Sequence, residues 1–180
     1  MSQATEADGT EGLCSTCGMC CDGVLFHAVE LQQGDNPRQL SALGLKLRKK
    51  KGVEFFLQPC GAHIPQQGQS GCSCTIYSDR PIRCRAFECR QLRGVLAGEI
   101  TREKALETIS STRAQVARVN ELIGRVAETN PNRGLAHRVA NALTPIPGVE
   151  FGEDHDLLRS AMRDLTDRLG RDFTAEQSAS

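Results

Sequence analysis

Four of the nine cysteines fall within eight residues, Cys14, Cys17, Cys20 and Cys21 in "CSTCGMCC". A C-x2-C pair lets two thiolates reach one metal ion while the turn between them aims backbone N–H groups at sulfur. Cys14 and Cys17 therefore read as half of a zinc or iron site. Gly18, directly after the second cysteine, eases the tight backbone of that turn. Cys20 repeats the step, giving C-x2-C-x2-C, the opening of ferredoxin-type iron–sulfur runs. The fourth cysteine of that run is missing; Cys21 follows Cys20 at once. Adjacent side chains diverge, so this pair shares one ion only across a compact turn. It more easily faces two metals, or two irons of one cluster.

A second batch follows: Cys60, Cys72, Cys74, Cys84 and Cys89. On a strand, Cys72 and Cys74 lie on one face, about 7 Å apart by the strand rise. On a continuous helix, Cys84 and Cys89 sit ~140° apart, so one of them leaves the helix if both serve one metal. Four thiolates around Zn²⁺ or a [4Fe–4S]²⁺ cluster leave about two negative charges. Arg80, Arg83, Arg85 and Arg90 surround Cys84 and Cys89. Arg80 and Arg85 are the candidates to compensate the cofactor's charge by hydrogen bonding to sulfur; the plain alternative is a solvated basic face. His63 stands at C-x2-H from Cys60, also a zinc spacing, and Asp22 offers an oxygen donor. His27 falls in an expected strand, and His137 and His155 lie away from the cysteines. No triad, phosphate loop or paired acid site stands out, and neither Asp79 nor Glu88 has a recognisable catalytic partner.

Composition narrows what holds the sulfurs. The 180 residues carry 22 Lys+Arg against 22 Asp+Glu, so no global field selects nucleic acid. The arginines near the cysteines come without an aromatic platform, which also disfavours nucleic acid. Trp is absent and aromatics make up 4%, a thin supply of large core side chains of the kind that metals commonly supplement. The polar, acidic start has no signal-peptide pattern, and no stretch approaches the ~18 apolar residues of a membrane helix. The expectation is a cytoplasmic protein, where structural disulfides are rare. An odd cysteine count also leaves one thiol over in any full disulfide scheme.

The elements that must position these residues divide at the last cysteine. Residues 1–11 read as a disordered tail, 12–95 as a cysteine module and 96–175 as a helical segment packed on it or extending it. Within the module, "VLFHAVEL", "VEFFLQPC" and "CSCTIY" read as strands. "DNPRQLSALGL" reads as a helix capped by Asn36 with Pro37 at its first position. "LRKKKG" reads as a basic turn and "GAHIPQQGQSG" as a polar loop. The block from Ser78, with Pro81 in the first turn, reads as a helix ending at Gly98. Beyond it, Leu106, Ile109, Val116, Val119, Ile123 and Val126 recur at helical steps, as do Leu158, Ala161, Met162, Leu165 and Leu169. Asn130-Pro131 stops the first of these helices; "RGLAHRVANAL" gives a shorter one and "TPIPG" a rigid break. The fold class expected is α+β, mainly α. The stripes read as packing between antiparallel helices, with a protein-partner groove as the alternative.

Cys14-x2-Cys17-x2-Cys20-Cys21, then Pro59-Cys60, then "CTIYSDRPIRC" from Cys74 to Cys84, resemble the YkgJ-type cysteine-cluster family, the CxxCxxCC or zinc- or iron-chelating domain. The resemblance covers residues 12–93 and none of the helical half. It implies a module that chelates zinc or iron ions, or holds an iron–sulfur cluster, through Cys14, Cys17, Cys20, Cys21, Cys60, Cys74, Cys84 and Cys89, with Cys72 as an extra. It also implies that Ile76 and Tyr77 pack beside the cluster and that Pro81 fixes a helix start. That family includes a flagellin lysine methylase, but no glycine-rich strand–turn–helix of a methyl-donor site stands in this chain. The functional expectation is a metal-chelating cysteine-cluster protein. The alternatives are an iron–sulfur-dependent oxidoreductase or methylase-like enzyme, and a thiol redox sensor.

Overall fold

The computed structural model describes residues 12–65, 71–126, 130–145, 147 and 151–174. The expected tail at 1–11, residues 66–70 of the expected polar loop, and Ile146 and Gly148 of the "TPIPG" break lie outside these. The architecture is α+β and mainly helical, and among the described residues the short strands all lie in the first half.

The chain opens on α1 (Leu13–Cys17), a single turn closed by Gly18 at φ 65°, whose N–H bonds Cys14 O at 2.9 Å. Glycine holds this left-handed conformation without a Cβ clash. A small sheet follows. The central strand β3 (Val53–Leu57) pairs antiparallel with β1 (Ala28–Glu30) on one side and with β2 (Leu47–Lys50) on the other. Between β1 and β2 lies α2 (Pro37–Ala42), whose Asn36 side chain accepts from Gln39 N, as the cap-and-proline pattern predicts. Val29, Leu40, Leu45, Phe56, Ala62 and Ile76 form a core around this sheet.

Two segments read as irregular in the sequence are strands. Leu47–Lys50 is an edge strand, not a basic turn; the turn is Lys51-Gly52, with both residues at positive φ. His63–Pro65 is β4, paired antiparallel with β5 (Cys72–Cys74) in a second, two-stranded sheet. The expected single helix from Ser78 is also broken. A 3₁₀ turn at Tyr77–Asp79 leads to α3 (Ile82–Ala86), Phe87 turns extended, and α4 (Arg90–Leu96) starts afresh with Cys89 as its N-cap. Pro81 sits just ahead of α3, where its missing N–H costs nothing.

The helical half is α5 (Arg102–Arg125), α6 (Leu135–Ala142) and α7 (Glu153–Asp172). Arg125 at the end of α5 meets Asp154 at the start of α7, and Ser111 early in α5 meets Arg168 late in α7. The two long helices therefore run antiparallel. Ile109, Val116, Val119 and Ile123 bury one stripe against Leu158, Leu165 and Leu169. Each such side chain contributes about 1.5–3 kcal/mol when fully removed from water. Leu13, Cys17 and Met19 belong to this same core. The helices thus close directly over the first cysteines. No helix among the described residues is long and apolar enough to cross a membrane.

Candidate metal centre

All nine cysteines are free thiols. They arrive from five places: α1, the loop after Gly18, the approach to β4, strand β5, and the α3–α4 break. In that loop Cys21 N and Asp22 N both bond Gly18 O, at 2.8 and 3.1 Å, and Leu25 N bonds Met19 O at 2.9 Å. Those bonds make a compact knot that carries Cys20 and Cys21. Cys60 is docked on it, since its N–H donates to Cys21 O at 2.8 Å. Cys60 O then accepts from His63 N at 3.0 Å, which starts β4. In the β4–β5 ladder His63 lies opposite Cys74, and Pro65 lies opposite Cys72.

Burial opposes charge on these sulfurs. It pushes Cys17 and Cys21 up to about 12 and Cys84 up to about 11, and raises Cys14, Cys20, Cys60 and Cys72 as well. Neighbouring thiols add to the effect, so the electrostatics also report who stands near whom. Cys20 feels Cys17, Cys89, Cys21 and Cys14. Cys21 feels Cys60, Cys84, Cys72 and Cys74. Cys84 feels Cys60 and Cys74, while Cys14 feels Cys89 and Cys72. The eight cysteines that the resemblance implies, and Cys72 with them, therefore lie in one region. Their side chains are not closed into a coordination shell as placed: among the described residues no three His, Cys, Asp or Glu side chains converge tightly enough to hold an ion. The chemistry of the donor set still fits a thiophilic metal, because the sulfurs are free, most are at least partly buried, and they act on one another electrostatically. Burial that penalises an isolated thiolate is offset once a cation neutralises it.

The other candidates separate. Arg80 acts on Cys14 and Cys84, favouring the thiolate of each. Its guanidinium lies 3.9 Å over the Tyr77 ring, and its Nε donates to Tyr77 O at 3.0 Å. Tyr77 is exposed and serves as that platform, whereas Ile76 is buried beside the cluster. Arg85 is exposed on α3, and no bond from its side chain to a cysteine is present among the described residues. Arg90 turns away from sulfur and donates to the Thr174 and Arg171 carbonyls at the end of α7. Asp22 is engaged by Arg113 and also accepts from Val24 N, which leaves it poorly placed as a metal ligand. His27 is exposed and packs edge-on against His137, their centroids 5.5 Å apart.

One residue escaped sequence reasoning. Arg113, from the middle of α5, donates to both Asp22 and the Cys17 carbonyl. It lies 96 positions from Cys17 in sequence, on a helix whose period advertises only its apolar face. No local pattern could mark it. A Cβ built on Gly18 would lie 2.9 Å from Cys72 Sγ, 3.0 Å from an Arg113 terminal nitrogen and 3.3 Å from His63 Nε2. These three groups converge on the glycine, and His63 Nε2 is buried with no hydrogen-bond partner among the described residues.

No family model, curated protein or solved structure matches the chain.

Proposed function

We propose that this protein is a metal-chelating cysteine-cluster protein, holding zinc or iron ions or an iron–sulfur cluster through Cys14, Cys17, Cys20, Cys21, Cys60, Cys74, Cys84 and Cys89. The observation that carries the reading is the gathering of eight free thiols, most of them partly or fully buried, from five segments that meet at one loop. Packing alone gives no reason to assemble so many sulfurs. Thiolate-selecting metals do, since soft sulfur donors favour zinc, copper(I) and iron–sulfur clusters. The spacing that resembles the YkgJ-type family points the same way. A bound metal would supply a fixed cross-link between the sheet core and the helical core and, if it is an iron–sulfur cluster, an electron site. Arg80 would balance the negative charge of the thiolates, and Arg113 would hold the Cys17 carbonyl and Asp22 in place.

A thiol redox sensor needs an exposed thiol with strong thiolate character. Cys14 is the exposed thiol and Cys72, the cysteine left over from the eight, is partly exposed; burial raises both, which disfavours this second reading. The test is anaerobic isolation of the full chain, with metal analysis and an absorption spectrum on one sample. A brown protein absorbing near ~400 nm indicates an iron–sulfur centre; a colourless one with stoichiometric zinc indicates a thiolate zinc site. Absence of any bound metal overturns the reading.

A further inference from the structure

Cys20 and Cys21 are bonded neighbours, yet the groups around them differ. Cys17 is buried in the helical core with Leu13 and Met19, and Cys89 packs against that same core. Cys60, Cys74 and Cys84 pack instead against the sheet core of Val29, Leu40, Phe56 and Ile76. The break between α3 and α4 accounts for the split of the last two cysteines. Cys84 stays on α3, while extended Phe87 redirects the chain and Cys89 caps α4 on the other side. Ile82 N bonds Asp35 Oδ1 at 2.8 Å, which ties α3 to the sheet region. Arg90 N bonds Phe173 O at 3.0 Å, which ties α4 to the end of α7. On the loop, the Cys21 carbonyl is bonded to Cys60 N.

Resting on the metal-binding reading above, we propose that the eight cysteines form two separate four-thiolate centres. One is Cys14, Cys17, Cys20 and Cys89, of which Cys17 and Cys89 pack in or on the helical core. The other is Cys21, Cys60, Cys74 and Cys84, of which the last three pack on the sheet core. Each set is the four-cysteine complement of a closed zinc site or of one iron–sulfur cluster. The divergence of adjacent side chains, an obstacle to one shared ion, is what two centres require. The electrostatic neighbours lean the same way: Cys17, Cys89 and Cys14 act on Cys20, which also feels its bonded neighbour Cys21, while Cys60, Cys84 and Cys74 act on Cys21, which also feels Cys72. Arg80 reaches one member of each set, Cys14 and Cys84, and so stands between the two charges. Cys72 belongs to neither set. Its Sγ lies 3.8 Å from Cys14 O and beside Arg113 and His63 over Gly18.

The experiment measures metal and acid-labile sulfide per chain in the full-length protein isolated anaerobically. An absorption spectrum fixes the type of centre, and far-ultraviolet circular dichroism reports the helices. Wild type is expected to carry two centres. Cys20→Ser and Cys89→Ser each halve the content, as do Cys21→Ser and Cys84→Ser. The double variant Cys20→Ser/Cys84→Ser is empty, and Cys72→Ser keeps both centres. A wild-type chain with a single centre overturns the partition, whatever the variants do. So does complete loss in single variants from both sets with the helical signal intact, or loss of a centre in Cys72→Ser. In those cases metal binding itself still stands. A wild-type chain with no metal overturns both readings.

Discussion

Gly18 is the glycine on which cysteine, arginine and histidine side chains converge. At φ 65° it occupies a conformation that costs an L-residue roughly 1–2 kcal/mol. An added Cβ would also press on Cys72 Sγ at 2.9 Å and an Arg113 nitrogen at 3.0 Å. Gly98 is the natural comparison, since its φ is 70° and nothing lies within 4 Å of its Cβ position. Gly18→Ala should therefore lower stability by about 2–4 kcal/mol, and Gly98→Ala by about 1 kcal/mol. Urea midpoints of the two variants check this, and equal losses would mean that contact above Gly18 contributes nothing. At this scale the sequence was most informative about residue type and spacing. The "CSTCG" step marks α1 and its glycine stop, and Asn36-Pro37 marks the start of α2. Arg113 was illegible because its partners come from a distant segment. Tyr77 departs from the expected packing because its apolar ring stacks under an arginine at the surface rather than on the core.

Between elements, legibility followed length and period. The helices α5 and α7 repeat their apolar residues long enough to be recognised, and acids at the start of α7 match its dipole. Leu47–Lys50 shows no such signal, because an edge strand with three exposed basic side chains is defined by its partner rather than by its own pattern. The three-residue β4 ends on a proline and is held by pairing with β5. The α3–α4 break follows no proline or glycine between Cys84 and Cys89; separate docking of the two helices sets it.

The elements around the loop also bury protonated thiols, with a consequence for pH. In the unfolded chain a thiol titrates near 9.0, whereas burial pushes Cys17 and Cys21 up to about 12 and Cys84 up to about 11. Above pH 9 the unfolded chain releases protons that the folded chain retains. That part of the stability is complete below pH 9 and is lost as pH climbs towards 11–12, by up to about 1.4 kcal/mol per thiol per pH unit. Unfolding midpoints of the chelator-treated, reduced chain should stay level from pH 7 to 8 and fall above 9. A rise over that interval would contradict thiol burial.

Over the whole molecule, the two cores meet at the cysteine loop. Leu135 N bonds Gly23 O at 2.8 Å, and a Cβ on Gly23 would lie 2.8 Å from Gly134 Cα, so α6 is seated directly on the loop's backbone. Phe26 and Phe87 meet edge-to-face at 4.9 Å across the same junction. The cysteine-free half thus covers the first cysteines, a relation the composition shift near residue 95 foreshadowed only as a boundary. A metal held at this junction would join sheet core, loop and helices into one cooperative unit. The most direct test is the native mass spectrum of the full chain isolated without oxygen. A metal-loaded chain has a mass above that of the polypeptide, matching bound metal, with or without sulfide, and the excess disappears on acidification as the thiolates are protonated. A native mass equal to the bare polypeptide, with all nine thiols open to alkylation in the folded chain, would contradict metal binding.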